Sequence, residues 1–253
     1  MSFLSLLNSY KNKRLLIGGH RGHLSSVREN TIPNFEEARL SGVKYIEIDV
    51  QLSRDGQAVI FHDLELSQHT PLKGRTRQYD VEQLKAAFDL CTLREAIAWC
   101  KDKDMMVMLE IKSREIEDHA DRPLMARRVT EALAEFDFFD ACIVFSIDHR
   151  LLKMIKQLRP ETMIALIIPH VPHDPVGLMK EMDALIYLSY LDNLSAPLVE
   201  ELHQAGFLVD GSVTNTKSQL IQAVSLGVDM IESDHPQEMM TLYRGMTAEE
   251  KEA

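Results

Sequence analysis

The chain has 253 residues, 45% of them hydrophobic, with 28 basic against 39 acidic residues and a formal net charge of −11. That length suffices for a large α/β domain to bury roughly three quarters of its unfolded surface, so neither a disulfide nor a metal is needed merely to fold. The acidic balance excludes a broad surface that neutralises nucleic-acid phosphates, but not a small anionic substrate, because exposed charges beyond about 10 Å are screened at ordinary salt.

Taken from the N-terminus, the apolar residues Phe3, Leu4, Leu6 and Leu7 are cut short by Asn8 and followed by Lys11, Lys13 and Arg14. This is the wrong order and length for a signal peptide. No run of about 18 apolar residues stands elsewhere. Three cysteines, Cys91, Cys100 and Cys142, form no close pair of the kind zinc sites use, and their odd number argues against a disulfide framework. A reduced, cytoplasmic protein is expected.

Short β-prone runs then alternate with amphipathic stretches. The strands predicted in order are Leu15–Gly19, Tyr45–Val50, Met105–Ile111, Cys142–Phe145, Met163–Ile168, Ala184–Leu188, Phe207–Asp210 and Val228–Ile231. Between them, apolar spacing predicts helices over Asn34–Leu40, Leu93–Trp99, Pro123–Phe136, His149–Leu158, Pro197–Ala205, Ser218–Leu226 and His235–Tyr243. Thr92 and Asp148 stand where helix N-caps belong, and Gly42, Gly206 and Gly227 where helices stop. Eight strands alternating with helices predict one α/β domain over residues 1–253, a closed (β/α)8 TIM barrel. The polar, irregular stretch from Leu64 to Asp89 is expected to be a loop insertion with a short helix at the C-terminal mouth.

The polar residues that end these strands suggest chemistry. Residues two apart share a strand face, so Glu47 and Asp49 point the same way, inward, at the end of an apolar run. Two buried like charges are costly unless a cation or proton joins them, and oxygen donors suit magnesium or calcium better than zinc. Asp55-Gly56 between two β-prone runs predicts a β-hairpin after the second barrel strand. A turn centred on that pair sets His62 directly across from Asp49. His20 ends the first strand at the same rim, Arg21 offers a fork of donors for phosphate oxygens, and Gly22 permits a tight backbone. Glu110 and Lys112 share a face at the end of their strand. Glu110 can complete a three-carboxylate cage and Lys112 can stabilise charge on a phosphoryl oxygen, although without the earlier motifs the pair reads better as an ion pair across the rim.

Together Gly19-His20-Arg21-Gly22, Glu29-Asn30-Thr31, Glu47-Ile48-Asp49-Val50, Arg54-Asp55-Gly56, Val59-Ile60-Phe61-His62-Asp63 and Glu110-Ile111-Lys112 resemble the glycerophosphodiester phosphodiesterase family. Phe145-Ser146, Gly227-Val228-Asp229-Met230-Ile231 and Ser233-Asp234-His235-Pro236 are similar to its closing segments, so the resemblance spans nearly the whole chain. It implies a phospholipase-like TIM barrel that hydrolyses a glycerophosphodiester to an alcohol and glycerol 3-phosphate. It also implies His20 and His62 as the acid/base pair, Arg21 as a catalytic phosphate clamp, Glu47, Asp49 and Glu110 as ligands of a divalent ion (Mg2+ or Ca2+), and Lys112 as a further substrate contact.

Three departures bear on the pocket. Arg28 stands where the family usually has proline, Gln68-His69-Thr70 replaces the more usual Arg-Thr-Thr, and the late-strand tryptophan gives way to Gly211 or Ser212, which widens the pocket or changes its wall. His170 and His173 lie in a proline-rich loop near the predicted mouth, and His23, His119, His149 and His203 read as loop or surface residues. The competing readings are a phospholipase C- or D-like activity on lysolipids and a non-catalytic barrel that binds phosphate compounds. The first falls behind for want of an exposed aromatic cluster or a basic helix, so no stable membrane association is expected. The second has no need to keep every polar group. A homodimer is compatible with the sequence, which neither requires nor forbids it.

Overall fold

The computed structural model describes residues 2–10, 15–25, 27–113 and 118–252; the cations Lys11, Lys13 and Arg14 lie outside them. Eight parallel strands close on themselves. They are β1 (Leu16–Gly19), β2 (Tyr45–Leu52), β4 (Met106–Ile111), β5 (Cys142–Ser146), β6 (Met163–Ile167), β7 (Ile186–Leu188), β8 (Leu208–Asp210) and β9 (Met230–Ser233). Closure is made by β1, which pairs β9 through Leu16 and Met230 and β2 through Gly19 and Ile46. The ninth strand, β3 (Ala58–Ile60), pairs antiparallel with β2 as the expected hairpin.

Alternation along each strand separates two cores. Ile46, Ile48 and Val50 of β2, with Val107, Leu109 and Ile111 of β4, face outward beneath the helices. Tyr45, Met106, Met108, Ile143, Phe145 and Met230 fill the inside. Strands buried on both faces read as near-continuous apolar runs, which is why they stand out in the sequence.

Ten helices are described, of which α1 (Phe3–Tyr10), α2 (Ile32–Ser41) and α3 (Val81–Ala87) precede α4 (Leu93–Asp102), α5 (Asp118–Glu135) and α6 (His149–Leu158). They are followed by α7 (Pro175–Met182), α8 (Ala196–Gln204), α9 (Lys217–Leu226) and α10 (Pro236–Glu252). Thr92 and Asp148 cap their helices as expected, accepting from the backbone N–H groups of Glu95 and Leu151. Helix α7 escaped the periodicity because it is only eight residues long, yet it carried a start signal. Asp174 accepts from Gly177 N at 2.7 Å and Pro175 takes the first turn, where its missing N–H costs nothing.

The apolar N-terminal segment is α1. Its Phe3, Leu6 and Leu7 are buried among the inward residues of the barrel, with the Phe3 ring 5.6 Å from that of Tyr45. Since Tyr45 and Leu16 lie at the strand starts, α1 plugs the end opposite the strands' C-terminal ends.

The hairpin register corrects one expectation. Val50 pairs with Ile60 and Leu52 with Ala58, and Phe61 N donates to Asp49 O at 2.9 Å. Phe61, not His62, therefore lies opposite Asp49. The turn is one residue longer than a two-residue loop, with Arg54-Asp55-Gly56 between Ser53 and Gln57 and Gly56 at φ +73°, the left-handed position such a loop requires. A one-residue shift exchanges the faces of a strand, but β3 ends at Ile60 and the freed chain returns His62 to the carboxylates.

Residues 64–89 form the expected insertion, with 3-10 turns at Leu66–Gln68 and Thr76–Gln78 before α3. Leu66 and Leu84 bury against Val59 and Phe61 of the hairpin in a small core of their own. Ion pairs Arg54–Asp80 at 2.5 Å and Arg77–Asp121 at 2.6 Å tie it to the hairpin and to α5.

Phe3 is fully buried, so Phe3→Ala should lower unfolding free energy by about 3 kcal/mol through lost transfer and a residual cavity. Urea unfolding measures this loss; a change within experimental error would contradict the plug.

Candidate active site

The polar residues that end the strands converge at their C-terminal side, where barrel loops are free to vary. The loop after β1 sets the first of them. Arg21 and Asn30 adopt positive φ (54° and 58°), and Asn30 N donates to Arg21 O at 2.9 Å, closing the loop on itself. Asn34 of α2 fastens it further, accepting from His23 N at 2.9 Å and donating to His23 O at 2.7 Å. Gly22 is at φ +106°, and a Cβ there would meet Asn34 Oδ1 at 1.8 Å, so the residue after Arg21 must be glycine.

Glu47, Asp49 and Glu110 come together as expected, each offering a carboxylate oxygen within 4.8 Å of the others. Their surroundings are mostly donors. Arg21 N donates to Glu47 Oε2 at 2.9 Å, Asn30 Nδ2 donates to Asp49 Oδ2 at 2.7 Å, and the Arg21 guanidinium lies 3.4 Å from Asp49. Lys112 Nζ lies 2.6 Å from Asp49 and 2.7 Å from Glu110, so the ion pair across the rim exists and includes a second acid. Glu47 Oε1 is buried without a hydrogen-bond partner.

The charges are strongly coupled to their surroundings. Burial, then the charge of Asp49, pushes the Glu47 carboxyl well above its ordinary range, with Lys112 opposing. Burial acts on Asp49 too, but Lys112, His62 and Arg21 outweigh it and hold that carboxyl well below the usual range. For Lys112, burial works against the charge, yet Asp49, Glu110 and Glu47 prevail and raise its pKa. Burial lowers His62, with Asp49 pulling the other way.

Each predicted histidine has an aspartate at Nδ1. His20 Nδ1 lies 2.6 Å from Asp234 Oδ1, and Asn215 holds Asp234 by donating to Oδ2 at 2.5 Å. His62 Nδ1 lies 2.7 Å from Asp63 Oδ1, whose other oxygen is 3.2 Å from His69 Nε2. An Nδ1–H donated to a carboxylate fixes the tautomer and frees Nε2 for proton transfer. His20 Nε2 faces inward, 3.9 Å from Glu47. Asp63 is the sequence neighbour of His62, whereas Asp234 stands 214 residues from His20 and beside His235, so its contact with His20 was not readable.

A cavity of about 360 Å³ opens above these groups, with His20, Arg21, His62, Glu110 and Lys112 on its charged side. Phe145, Ile167, Leu188 and Tyr190 form an apolar wall on the other side. Ser212 and Val213 line it where a tryptophan was expected, whereas Gly211 does not. His170 and His173 are exposed on their loop and absent from the lining. His203 is more engaged than a surface residue, with Nε2 2.8 Å from Asp229.

Two further acids went unnoticed. Glu232 is 3% exposed and lines the cavity, and Asp210, fully buried, neighbours it through Ser212. Ser212 Oγ donates to Asp210 and accepts from Glu232 N at 2.7 Å. Each acid leaves one buried carboxylate oxygen without a partner. The signal was alternation: Glu232 follows Met230 and Asp210 follows Leu208 on the inward face.

A family model, the glycerophosphoryl diester phosphodiesterase family, matches residues 20–238. The chain belongs to that family. As a family member it is a phosphoric diester hydrolase. A glycerophosphodiester phosphodiesterase of Caldanaerobacter subterraneus subsp. tengcongensis is 28% identical over 243 residues, covering 91% of this chain and 98% of the relative. One from Bacillus altitudinis is 27% identical over 245 residues, with the same shares covered. The fold is shared with an Oleispira antarctica phosphodiesterase solved in complex with sn-glycerol-3-phosphate, at a TM-score of 0.85 and 24% identity over 93% of this chain and 98% of that one. Among the described residues no helix is long and apolar enough to cross a membrane.

Burial pushes the Asp210 carboxyl up to about 7, the Ser212 hydrogen bond only partly opposing it and Asp229 adding to it. An unfolded aspartate releases its proton near pH ~4. Between these values the folded chain holds a proton that the unfolded chain has lost, so stability falls as pH rises toward 7. Asp210→Asn should flatten this fall in urea unfolding from pH 4.5 to 7.5, with the remaining slope due to Glu232, which burial also raises. An unchanged slope would contradict the assignment.

Proposed function

We propose that the protein hydrolyses glycerophosphodiesters to an alcohol and glycerol 3-phosphate with a divalent cation held by Glu47, Asp49 and Glu110. The observation that carries this reading is the meeting of two histidine–aspartate pairs with a carboxylate cage in one cavity. The cage fits a hard cation: its donors are all carboxylate oxygens, and Glu47 Oε1 is buried without a partner. When bound, Mg2+ or Ca2+ would supply positive charge against the phosphoryl oxygens and make an oxygen nucleophile more acidic.

The chain's own residues do the rest. Arg21 and Lys112 bind and orient the phosphate, their positive charge secured by the acids around them. His20 and His62 move the protons, one accepting from the nucleophile and one donating to the departing oxygen through Nε2. Asp234 and Asp63 hold the rings in the required tautomer. The apolar wall excludes water from one side of the phosphate and so strengthens these charge contacts. We take residues 1–253 as one catalytic domain and place it in the cytoplasm, a compartment supported by three free, buried cysteines.

One observation favours a second reading, a lysolipid substrate. Leu24, Ile147, Val171 and Tyr190 stand exposed on loops that follow barrel strands, an apolar rim that an amphiphile could meet. Liposome sedimentation tests it; strong binding would favour this second substrate class.

Release of glycerol 3-phosphate from glycerophosphocholine, glycerophosphoethanolamine and glycerophosphoglycerol, with magnesium, calcium or chelator, tests the main reading. Metal-dependent release is expected, and His20→Ala and His62→Ala should each lower kcat by about 10²-fold or more. Turnover that survives both substitutions would contradict the assigned chemistry.

A further inference from the structure

A phosphodiester has two ester arms on one phosphorus, and two cavities meet at His62. The first is the 360 Å³ cavity already described, and the second, of about 350 Å³, shares His62 with it and is lined by Leu24, Val27, Arg28, Phe61, Asp63 and His69 among others. The two differ in chemistry. The first carries the carboxyl of Glu232, one oxygen of which is buried without a partner and suited to a glycerol hydroxyl. In the second, the Arg28 guanidinium lies 4.3 Å from the centre of the Phe88 ring and 5.3 Å from that of Phe61, packed over two rings that touch each other.

The acids near Arg28 are Glu29, Asp63 and Asp89. Glu29 is engaged by Arg21 at 3.1 Å, and Asp63 by His62 and His69. Asp89 is exposed, where solvent screens it. Among the described residues the guanidinium of Arg28 makes one long hydrogen bond, 3.5 Å from Nη1 to Asp89 O. The guanidinium is thus fixed in position by stacking while most of its five donors are left for a ligand.

Resting on the phosphodiesterase reading, we infer that this second cavity receives the departing alcohol and that Arg28 selects alcohols carrying an anionic group of their own, such as a second phosphate. Stacking pre-orients the fork, so little freedom is lost on binding a phosphate bidentately. A quaternary ammonium meets the same fixed positive charge and gains nothing from aromatic faces that Arg28 already covers.

The test compares a matched pair, glycerophosphoinositol and glycerophosphoinositol 4-phosphate, with glycerophosphocholine as a third substrate. Wild type should show kcat/KM about tenfold or more in favour of the phosphorylated member, the size of one charge-assisted contact. Arg28→Met keeps an apolar stem over the rings and removes the charge. It should collapse that ratio toward one through KM, leaving glycerophosphocholine turnover unchanged or improved. Arg28→Lys restores charge without the planar fork and should recover part of the ratio. An equal loss on all three substrates in Arg28→Met, or a ratio near one in wild type, would overturn the inference while leaving the phosphodiesterase reading intact. Absence of turnover on every diester would remove that reading and this inference with it.

Discussion

Everything at the mouth of this barrel follows from the burial of carboxyl groups inside a closed sheet. Glu47, Asp49, Glu110, Asp210 and Glu232 all project toward the upper interior, and among the described residues Arg21 and Lys112 answer them with permanent positive charge. Uncompensated charge in such surroundings costs several kcal/mol per group, so protons and cations must share the load. Lys112 neutralises Asp49 and Glu110, while Glu47 keeps an unpartnered oxygen and a raised pKa. The site is thereby poised to take up a cation, and its histidines sit in a field that the same acids create.

Such a charge cluster needs a rigid frame, and the lower half of the barrel supplies it. Beneath the acids the interior is apolar, and α1 closes the far end with Phe3, Leu6 and Leu7. Above them, the β1–α2 loop is fixed by Asn34, and His20 is fixed through Asp234 and Asn215. The insertion over the hairpin is fastened by its own small core and by Arg54 and Arg77. His20 is therefore oriented from a separate strand end, through Asp234, and His62 by the adjacent Asp63, which His69 also contacts.

Much of this was legible in the sequence because barrel strands are buried on both faces and their ends carry the polar residues. All eight barrel strands, the hairpin, and the grouping of Glu47, Asp49 and Glu110 follow from alternation and turn chemistry. The pairing of His62 with Asp49 did not, because an Asp-Gly pair fits a two-residue turn and a three-residue loop alike, and only the backbone decides between them. Helix α7 was hidden by its brevity, and α1 likewise, a segment of eight residues too short for periodicity to mark a helix. Glu232 and Asp210 show the deeper limit: each is one acid at the end of a short apolar strand, and their meeting through Ser212 depends on strand neighbours that the sequence does not list. Arg28 was visible as a departure from the family's proline, whereas its stacking on Phe61 and Phe88 required the insertion to fold over the hairpin.

On the proposed reading, the buried carboxylates form a cation site whose charge is balanced by protons until an ion binds. Calorimetric titration of calcium and magnesium into the metal-free protein at neutral pH, repeated in buffers of different ionisation enthalpy, tests it most directly. One site per chain is expected, with net proton release on binding, because Glu47 holds a raised pKa before the ion arrives. Glu47→Gln should abolish the release. Absence of saturable binding, or binding with no proton release and no effect of Glu47→Gln, would contradict it.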